Sequence, residues 1–359
     1  MAIMKAVMTQ GDTVLSVQET ARPTPGPGEI LVKVHYAAQN PTDWKSARGS
    51  LGVVPPAPPG LISGCDFAGT VEDPNGSSWA LGQRVAGFVQ GTSRNGTPAN
   101  PVRGAFAEYI PIEASLVSPV PDGVGLEGAS TIGLAFATAV QALYQRLGLP
   151  EPGAEKTGEW FLVYGGATSV GNYAIQLAKL SGLRVVTTAS PKNHEFLKEL
   201  GADAVVDYHG DWAAEVRRIT DGKLQSAIDT VAENGSTVEI AKALSQREGD
   251  HILTLVPQHP QAKEEIRAAN PHARDEWTIV YTVFERAIPL KGYENCGRET
   301  PEDKKTWEKF LRLLTGFLER GEVKPNRARV LGGLESVVEG LKFAEEGKVS
   351  NEKLVYKVL

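Results

Sequence analysis

Apolar residues change their spacing along the chain, and the change divides it. In the first third they come in short dense runs broken by proline and glycine. Lys5-Ala6-Val7-Met8 and Leu15-Ser16-Val17 are brief strand candidates. A turn-rich break, Arg22-Pro23-Thr24-Pro25-Gly26-Pro27-Gly28-Glu29, precedes Ile30-Leu31-Val32-Lys33-Val34-His35-Tyr36, whose apolar and β-branched density predicts a strand. After a proline-rich loop at 55–60, residues 67–72 and 83–88 again read as strands. Near residue 127 the texture changes, and the Ala- and Leu-rich stretch 129–143 predicts buried helix.

From Trp160 strand and helix alternate. Strands are predicted at 161–164, 184–188, 204–208, 227–231 and 251–256. The segment 173–180 carries apolar residues three and four apart and predicts a helix stopped by Gly182. A second helix is predicted at 195–200, stopped by Gly201. Such alternation implies a parallel, doubly wound sheet. Residues 257–275 are polar, with a short helix expected at 261–267, and the tail from 302 returns to helices and a last strand at 353–358.

The strongest chemical signal lies between the strand at 161–164 and the following helix, in Gly165-Gly166-Ala167-Thr168-Ser169-Val170-Gly171. A dinucleotide pyrophosphate needs close backbone approach and N–H groups aimed at it, and small residues at a helix N-terminus supply both. The spacing Gly166-x-Thr168-x-x-Gly171 lacks the usual middle glycine. A tight strand-to-helix turn without a ligand is the plain alternative. The end of the next strand bears on the nucleotide. An NAD site places an acidic residue there for the ribose hydroxyl. This chain has Ser190-Pro191-Lys192-Asn193, and Tyr208 follows the third strand. A hydroxyl, an ammonium and an amide suit a 2′-phosphate, which a carboxylate would repel, so NADPH is expected over NADH. Lys192 as a solvated surface lysine and Tyr208 as an edge aromatic are the plain alternatives.

Composition narrows the classes. The 359 residues are 41% hydrophobic and 22% charged, as in globular proteins, and suffice for about two domains. The formal charge of −6 offers no basic field for nucleic acid or acidic membranes. Two cysteines, Cys65 and Cys296, do not make a disulfide scaffold. The N-terminus lacks the features of a signal peptide, and no apolar run is long enough for a membrane span, so a cytoplasmic protein is expected.

These residues, together with Asn40-Pro41-Thr42-Asp43-Trp44-Lys45, Gly64-Cys65-Asp66-Phe67-Ala68-Gly69-Thr70-Val71, Gly82-Gln83-Arg84-Val85-Ala86-Gly87, Gly104-Ala105-Phe106-Ala107-Glu108-Tyr109 and the closing Gly347-Lys348-Val349-Ser350-Asn351-Glu352-Lys353-Leu354-Val355, resemble the medium-chain dehydrogenase/reductase superfamily. Tyr164-Gly165-Gly166-Ala167-Thr168, Ser190-Pro191-Lys192-Asn193 and Val206-Asp207-Tyr208 look most like the fungal trans-acting enoyl reductases that serve polyketide synthases. The resemblance implies an α/β fold: a GroES-like β-rich catalytic domain over 1–130 and 286–359, and a Rossmann doubly wound nucleotide-binding domain over 131–285. It implies NADPH contacts from Thr42, Asp43, Gly166, Thr168, Ser169, Val170, Gly171, Ser190, Lys192, Asn193, Tyr208, Leu255, Val349 and Ser350, and a substrate channel at Gly133, Leu134, Phe136 and Val140.

Zinc enzymes of that superfamily carry Gly-His-Glu where this chain has Gly64-Cys65-Asp66, and a structural zinc lobe needs four close cysteines. No metal is expected, which disfavours alcohol oxidation and favours hydride addition to an activated alkene. The expected reaction is reduction of an α,β-unsaturated thioester, with Lys45 and Thr138 as the polar candidates for stabilising the enolate or supplying its proton. Lys45 as a ribose or structural contact and Thr138 bonded to its own helix backbone are the plain alternatives. The expected substrate is an enoyl-thioester on an acyl carrier protein of a polyketide synthase. A quinone or small-enone reductase is the nearest rival. A partner that holds NADPH for docking or cyclisation, without redox turnover, is a rival of another class. Prolines and charges after residue 257 blunt an edge strand and predict a monomer.

Overall fold

The computed structural model describes residues 2–49, 56–286, 288 and 301–359. Pro55 of the proline-rich loop, and Cys296, lie outside them. The chain divides into two compact units, residues 1–134 with 281–359, and residues 135–280.

Unit 1 opens with the strands β1 (Ile3–Gly11) and β2 (Val14–Ala21), paired as an antiparallel hairpin. Then come β3 (Glu29–Ala38), helix α1 (Pro41–Arg48), β4 (Asp66–Asp73), β5 (Arg84–Phe88), β6 (Tyr109–Glu113), β7 (Val117–Pro119) and the short helix α2 (Leu126–Ala129). β3 is paired by β4 and by β6, and both faces of its first half are covered; Ile30, Val32 and Val34 are fully buried. The prediction of one buried helix over 129–143 is corrected here. The backbone breaks between Ala129 and Gly133, and α3 (Gly133–Val140) continues into a wider π-helical turn, Gln141–Arg146.

Unit 2 is the alternating region. Its strands are β8 (Trp160–Tyr164), β9 (Arg184–Thr188), β10 (Ala204–Val206), β11 (Ser226–Asp229), β12 (His251–Thr254) and β13 (Arg274–Trp277). All pair in parallel, in the order β10-β9-β8-β11-β12-β13, so the direction of winding reverses beside β8. This is the doubly wound arrangement in which ligands bind outside the carboxyl ends of the strands at the switch point. Its helices are α4 (Ser169–Leu180), α5 (His194–Glu199), α6 (Trp212–Ile219), α7 (Ser236–Ala243) and α8 (Pro260–Ala269). Leu162, Val186, Ile240 and Ile252 lie in one core with Trp212 and Val216.

Three strands end earlier than the apolar pattern predicts, for local reasons. β10 stops at Val206, and Asp207 turns to accept the His209 amide. β11 stops at Asp229, whose carboxylate takes the amides of Val231 and Ala232. β12 stops at Thr254, whose hydroxyl donates to the Val256 carbonyl. β13 was not foreseen: it is an edge strand with three charged residues, Arg274-Asp275-Glu276, that begins at the end of the stretch read as polar.

The chain then returns to unit 1 through α9 (Pro301–Glu319), β14 (Ala328–Gly332), α10 (Val337–Glu345) and β15 (Lys353–Lys357). β15 lies between β14 and β3, so strand 353–357 completes a sheet begun by β3, separate from the β1–β2 hairpin.

Candidate active site

At the carboxyl end of β8 the chain turns through Gly165, whose φ of +80° favours glycine. The Gly165 amide donates to the Thr188 hydroxyl at 3.0 Å and the Gly166 amide to the Thr188 carbonyl at 2.9 Å, which fixes the turn to the end of β9. A Cβ on Gly171 would stand 2.3 Å from the Gly165 carbonyl oxygen, and one on Gly166 would stand 2.2 Å from the Thr187 hydroxyl. Both positions are closed to any side chain.

Thr168 explains the absent middle glycine. It has an extended backbone, φ −76°, that any residue can adopt, and its hydroxyl accepts the Gly171 amide at 2.9 Å as the N-cap of α4. The same hydroxyl donates to Thr230 at 2.9 Å, and the Thr230 hydroxyl reaches the Tyr164 and Gly165 carbonyls. The loop after β11 is thereby tied to the turn. Asp229 holds that loop from beneath, taking two amides and the hydroxyls of Ser236 and Thr237, and burial pushes its carboxyl up. Ser169 and Val170 form the first turn of α4, where the helix dipole favours an anion. These features fit a pyrophosphate.

Ser190 begins the short turn Pro191–Asn193 beyond β9, with the Asn193 amide group 3.4 Å from its hydroxyl and Lys192 exposed. The Ala189 amide donates to Val206, so the ends of β9 and β10 lie side by side. Tyr208, two residues past β10, is 44% exposed and rests against the His209 ring. Leu255 follows β12 directly and is half-buried. Among the substrate candidates of this unit, Phe136 and Val140 are buried, Phe136 standing edge-on to Tyr173. Thr138 is buried in the same helix, at 6% exposure.

In unit 1, α1 is capped by a reciprocal pair: the Asn40 amide donates to Asp43 Oδ2 at 2.7 Å, and the Asp43 amide to the Asn40 carbonyl. Lys45 lies two residues on, half-buried, with its ammonium 5.5 Å from the Trp44 ring centroid. Val349 and Ser350 lie between α10 and β15, half-buried and exposed respectively. Gly133, at the start of α3, is closed to a side chain by Asp66 and the Gly87 carbonyl, while Leu134 is half-buried.

Beneath α1 lies a buried polar cluster that sequence reasoning did not assemble. Asp66 takes the Lys353 ammonium and the Asn40 amide group on Oδ2, and the Leu134 amide on Oδ1 at 2.6 Å. Lys353 also donates to the Thr131 carbonyl, in the break between α2 and α3. Burial pushes the fully buried Asp43 carboxyl up to about 7, against the Asn40 amide and the Lys353 charge, with Asp66 adding to the rise. Cys65 is buried against Asp43, and burial with that neighbour's charge raises its thiol well above the ordinary value. Its sulfur is 3.4 Å from the Tyr281 hydroxyl, which is 3.2 Å from the Thr42 hydroxyl. Both Asp66 oxygens are engaged, and no three His, Cys, Asp or Glu side chains gather in metal-binding geometry among the described residues.

Two family models match: the alcohol dehydrogenase GroES-like domain over 26–122 and the zinc-binding dehydrogenase over 169–285. The trans-enoyl reductase ACTTS2 of Alternaria alternata is 35% identical, with all of both chains covered. The trans-enoyl reductase caaB of Aspergillus niger is 36% identical over 98% of this chain and 96% of its own. Among solved structures, the quinone oxidoreductase of Coxiella burnetii matches at 26% identity with a TM-score of 0.71 and full coverage of both chains. Identity of this order over the whole length, on a GroES-like unit and a Rossmann unit, means that the chain belongs to the trans-enoyl reductase family within the medium-chain dehydrogenase/reductase superfamily.

Proposed function

We propose that this protein is an NADPH-dependent enoyl reductase that saturates the double bond of an α,β-unsaturated thioester carried by a polyketide synthase. The observation that carries the reading is the turn from Tyr164 to Gly171, which joins a parallel strand to a capped helix and leaves no room for a side chain at Gly166 or Gly171. A nicotinamide dinucleotide is the ligand such a turn serves, and the relatives are oxidoreductases. Ser190, Lys192, Asn193 and Tyr208 favour the 2′-phosphate form, since all four are uncharged or cationic hydrogen-bonding groups. Bound there, the nicotinamide supplies a hydride to the β-carbon.

The chain's own work is then to orient the nucleotide, exclude water and manage charge. Hydride addition leaves negative charge on the thioester oxygen, and a preorganised donor stabilises it. Lys45 and Thr138 are the candidates for that donor. Thr42, Asp43, Leu255, Val349 and Ser350 are proposed cofactor neighbours, and Gly133, Leu134, Phe136 and Val140 line the acyl site. The trans-enoyl reductase relatives support a carrier-bound substrate, and the charged edge strand β13 supports a monomer.

The test is cofactor consumption by the purified protein with crotonyl- and longer enoyl-thioesters, compared with benzoquinones, using NADPH and NADH in parallel. Turnover of thioesters with a strong preference for NADPH is expected. Quinone reduction alone would favour the rival that the Coxiella burnetii oxidoreductase suggests. NADPH binding with no consumption of any substrate would mean a holding partner rather than an enzyme. Lys192→Ala is expected to weaken NADPH about tenfold, the worth of one charge-assisted contact, while leaving NADH binding unchanged.

A further inference from the structure

At the carboxyl end of β10 stands an acid that a 2′-phosphate would avoid. Asp207 follows Val206 directly and is half-buried. Val206 pairs with Thr188, so Tyr208 and Ser190 each come two residues past the last paired positions of two parallel strands. Asp207 thus sits beside two of the groups proposed to hold the phosphate, and a bare carboxylate there would repel it. The carboxylate is not bare. Its Oδ1 accepts the His209 amide at 3.1 Å and the His209 ring Nδ1–H at 2.6 Å. The amide and the ring, with the charge of His194 on α5 behind them, hold the Asp207 carboxyl below its ordinary value, so Asp207 is the acceptor and Nδ1 the donor. The same ring lies against Tyr208, with centroids 4.3 Å apart and planes at 32°. One side chain therefore engages the acid and supports the phenol. Core packing accounts for neither ring, since Tyr208 and His209 are both exposed. The neighbouring titratable groups are His194, whose Nε2 is 3.1 Å from the Ala189 carbonyl, and Tyr164, on which Tyr208 acts electrostatically from beyond β10. All of these residues belong to unit 2.

We infer that His209 is a specificity-determining residue, which screens the Asp207 charge from the 2′-phosphate and positions Tyr208 against it. This rests on the NADPH reading above. NADH carries no phosphate at that point, so its binding is indifferent to both effects. Discrimination between the two nucleotides then depends on a pair formed two residues apart in the loop after β10, in addition to the groups that touch the phosphate.

Four variants of the full chain test this, with NADPH and NADH dissociation constants measured by fluorescence: His209→Ala, His209→Phe, Asp207→Asn, and Asp207→Asn combined with His209→Phe. His209→Ala bares the acid and frees Tyr208, and should weaken NADPH about fivefold, the scale of an exposed charged pair. His209→Phe keeps a ring beside Tyr208 without an N–H, and should weaken NADPH about threefold. NADH affinity should change less than about twofold in both. Asp207→Asn keeps an oxygen for the His209 amide and removes the charge, and should bind NADPH at least as tightly as the parent. The double variant should return to within about twofold of the parent, because the acid that needed screening is gone. A ring that merely packs would not be rescued in this way. Unchanged NADPH affinity in both His209 variants, equal losses for NADPH and NADH, or a double variant no tighter than His209→Phe would overturn the inference and leave the NADPH reading standing. A parent protein that binds NADH as tightly as NADPH would overturn that reading and the inference with it.

Discussion

Asp43 shows how far burial moves a carboxyl when no cation is dedicated to it. Its folded value of about 7 lies above the unfolded 3.8, so the native state keeps a proton that the unfolded chain releases. The stability this contributes is full below about pH 4 and disappears as pH rises through about 7. Urea unfolding should therefore show the protein losing about 2–3 kcal/mol between pH 5 and pH 8 relative to Asp43→Asn, which has no such slope. A parallel dependence in both proteins would count against a protonated Asp43. For the reaction itself, Lys45→Ala or Thr138→Val should lower kcat roughly 10²–10³-fold at whichever position supplies the oxyanion donor. Steady-state kinetics showing tenfold or smaller losses at both would leave the oxyanion to another group. The sequence already pointed to Lys45, Thr138, Ser190 and Lys192, because each belongs to a short contiguous motif. It was silent on Asp66 with Lys353, which meet across 287 positions, and on Tyr281 beside Cys65. No local pattern marks a contact made only by folding.

At the scale of the element, the phosphate turn is set by three requirements: a left-handed Gly165, a bare Gly171 and a capping Thr168. Gly171→Ala would press a methyl against the Gly165 carbonyl, 2.3 Å away, and the turn would have to open. NADPH affinity measured by fluorescence should fall at least tenfold, while the sheet remains folded by circular dichroism. An unchanged affinity would mean that the pyrophosphate lies elsewhere. Thr168→Ala removes a cap worth about 1 kcal/mol, and also the Thr230 link. Strand positions were legible where apolar residues run together, as in β8, β9 and β12. The ends of β10, β11 and β12 were not, because Asp207, Asp229 and Thr254 stop them with side-chain bonds to nearby backbone. β13 escaped notice because its residues are charged and it takes its place from pairing with β12. The helix near 129–143 was misread because alanine and leucine suit a helix on either side of a break.

For the whole molecule, the doubly wound unit and the β-rich unit were both legible, since each has its own periodicity. What joins the two ends of the chain within unit 1 was not. There, Lys353 on the last strand is 2% exposed and its ammonium is held by Asp66 and the Thr131 carbonyl. Lys353→Met should cost about 3–5 kcal/mol by leaving the Asp66 carboxylate uncompensated, and adding Asp66→Asn should recover much of it. Denaturant unfolding of the two variants checks this. Equal loss in both would mean that packing of the lysine stem, rather than its charge, matters.

The insertion of β15 between β14 and β3 also has a cost during synthesis. Unit 2 is one continuous stretch and can close while the ribosome is still working. The flank of β3 reserved for β15 stays unclaimed until residues 353–357 emerge, leaving an open hydrogen-bonding margin on a nascent protein. Chaperone demand and premature-stop aggregation should both concentrate on that interval.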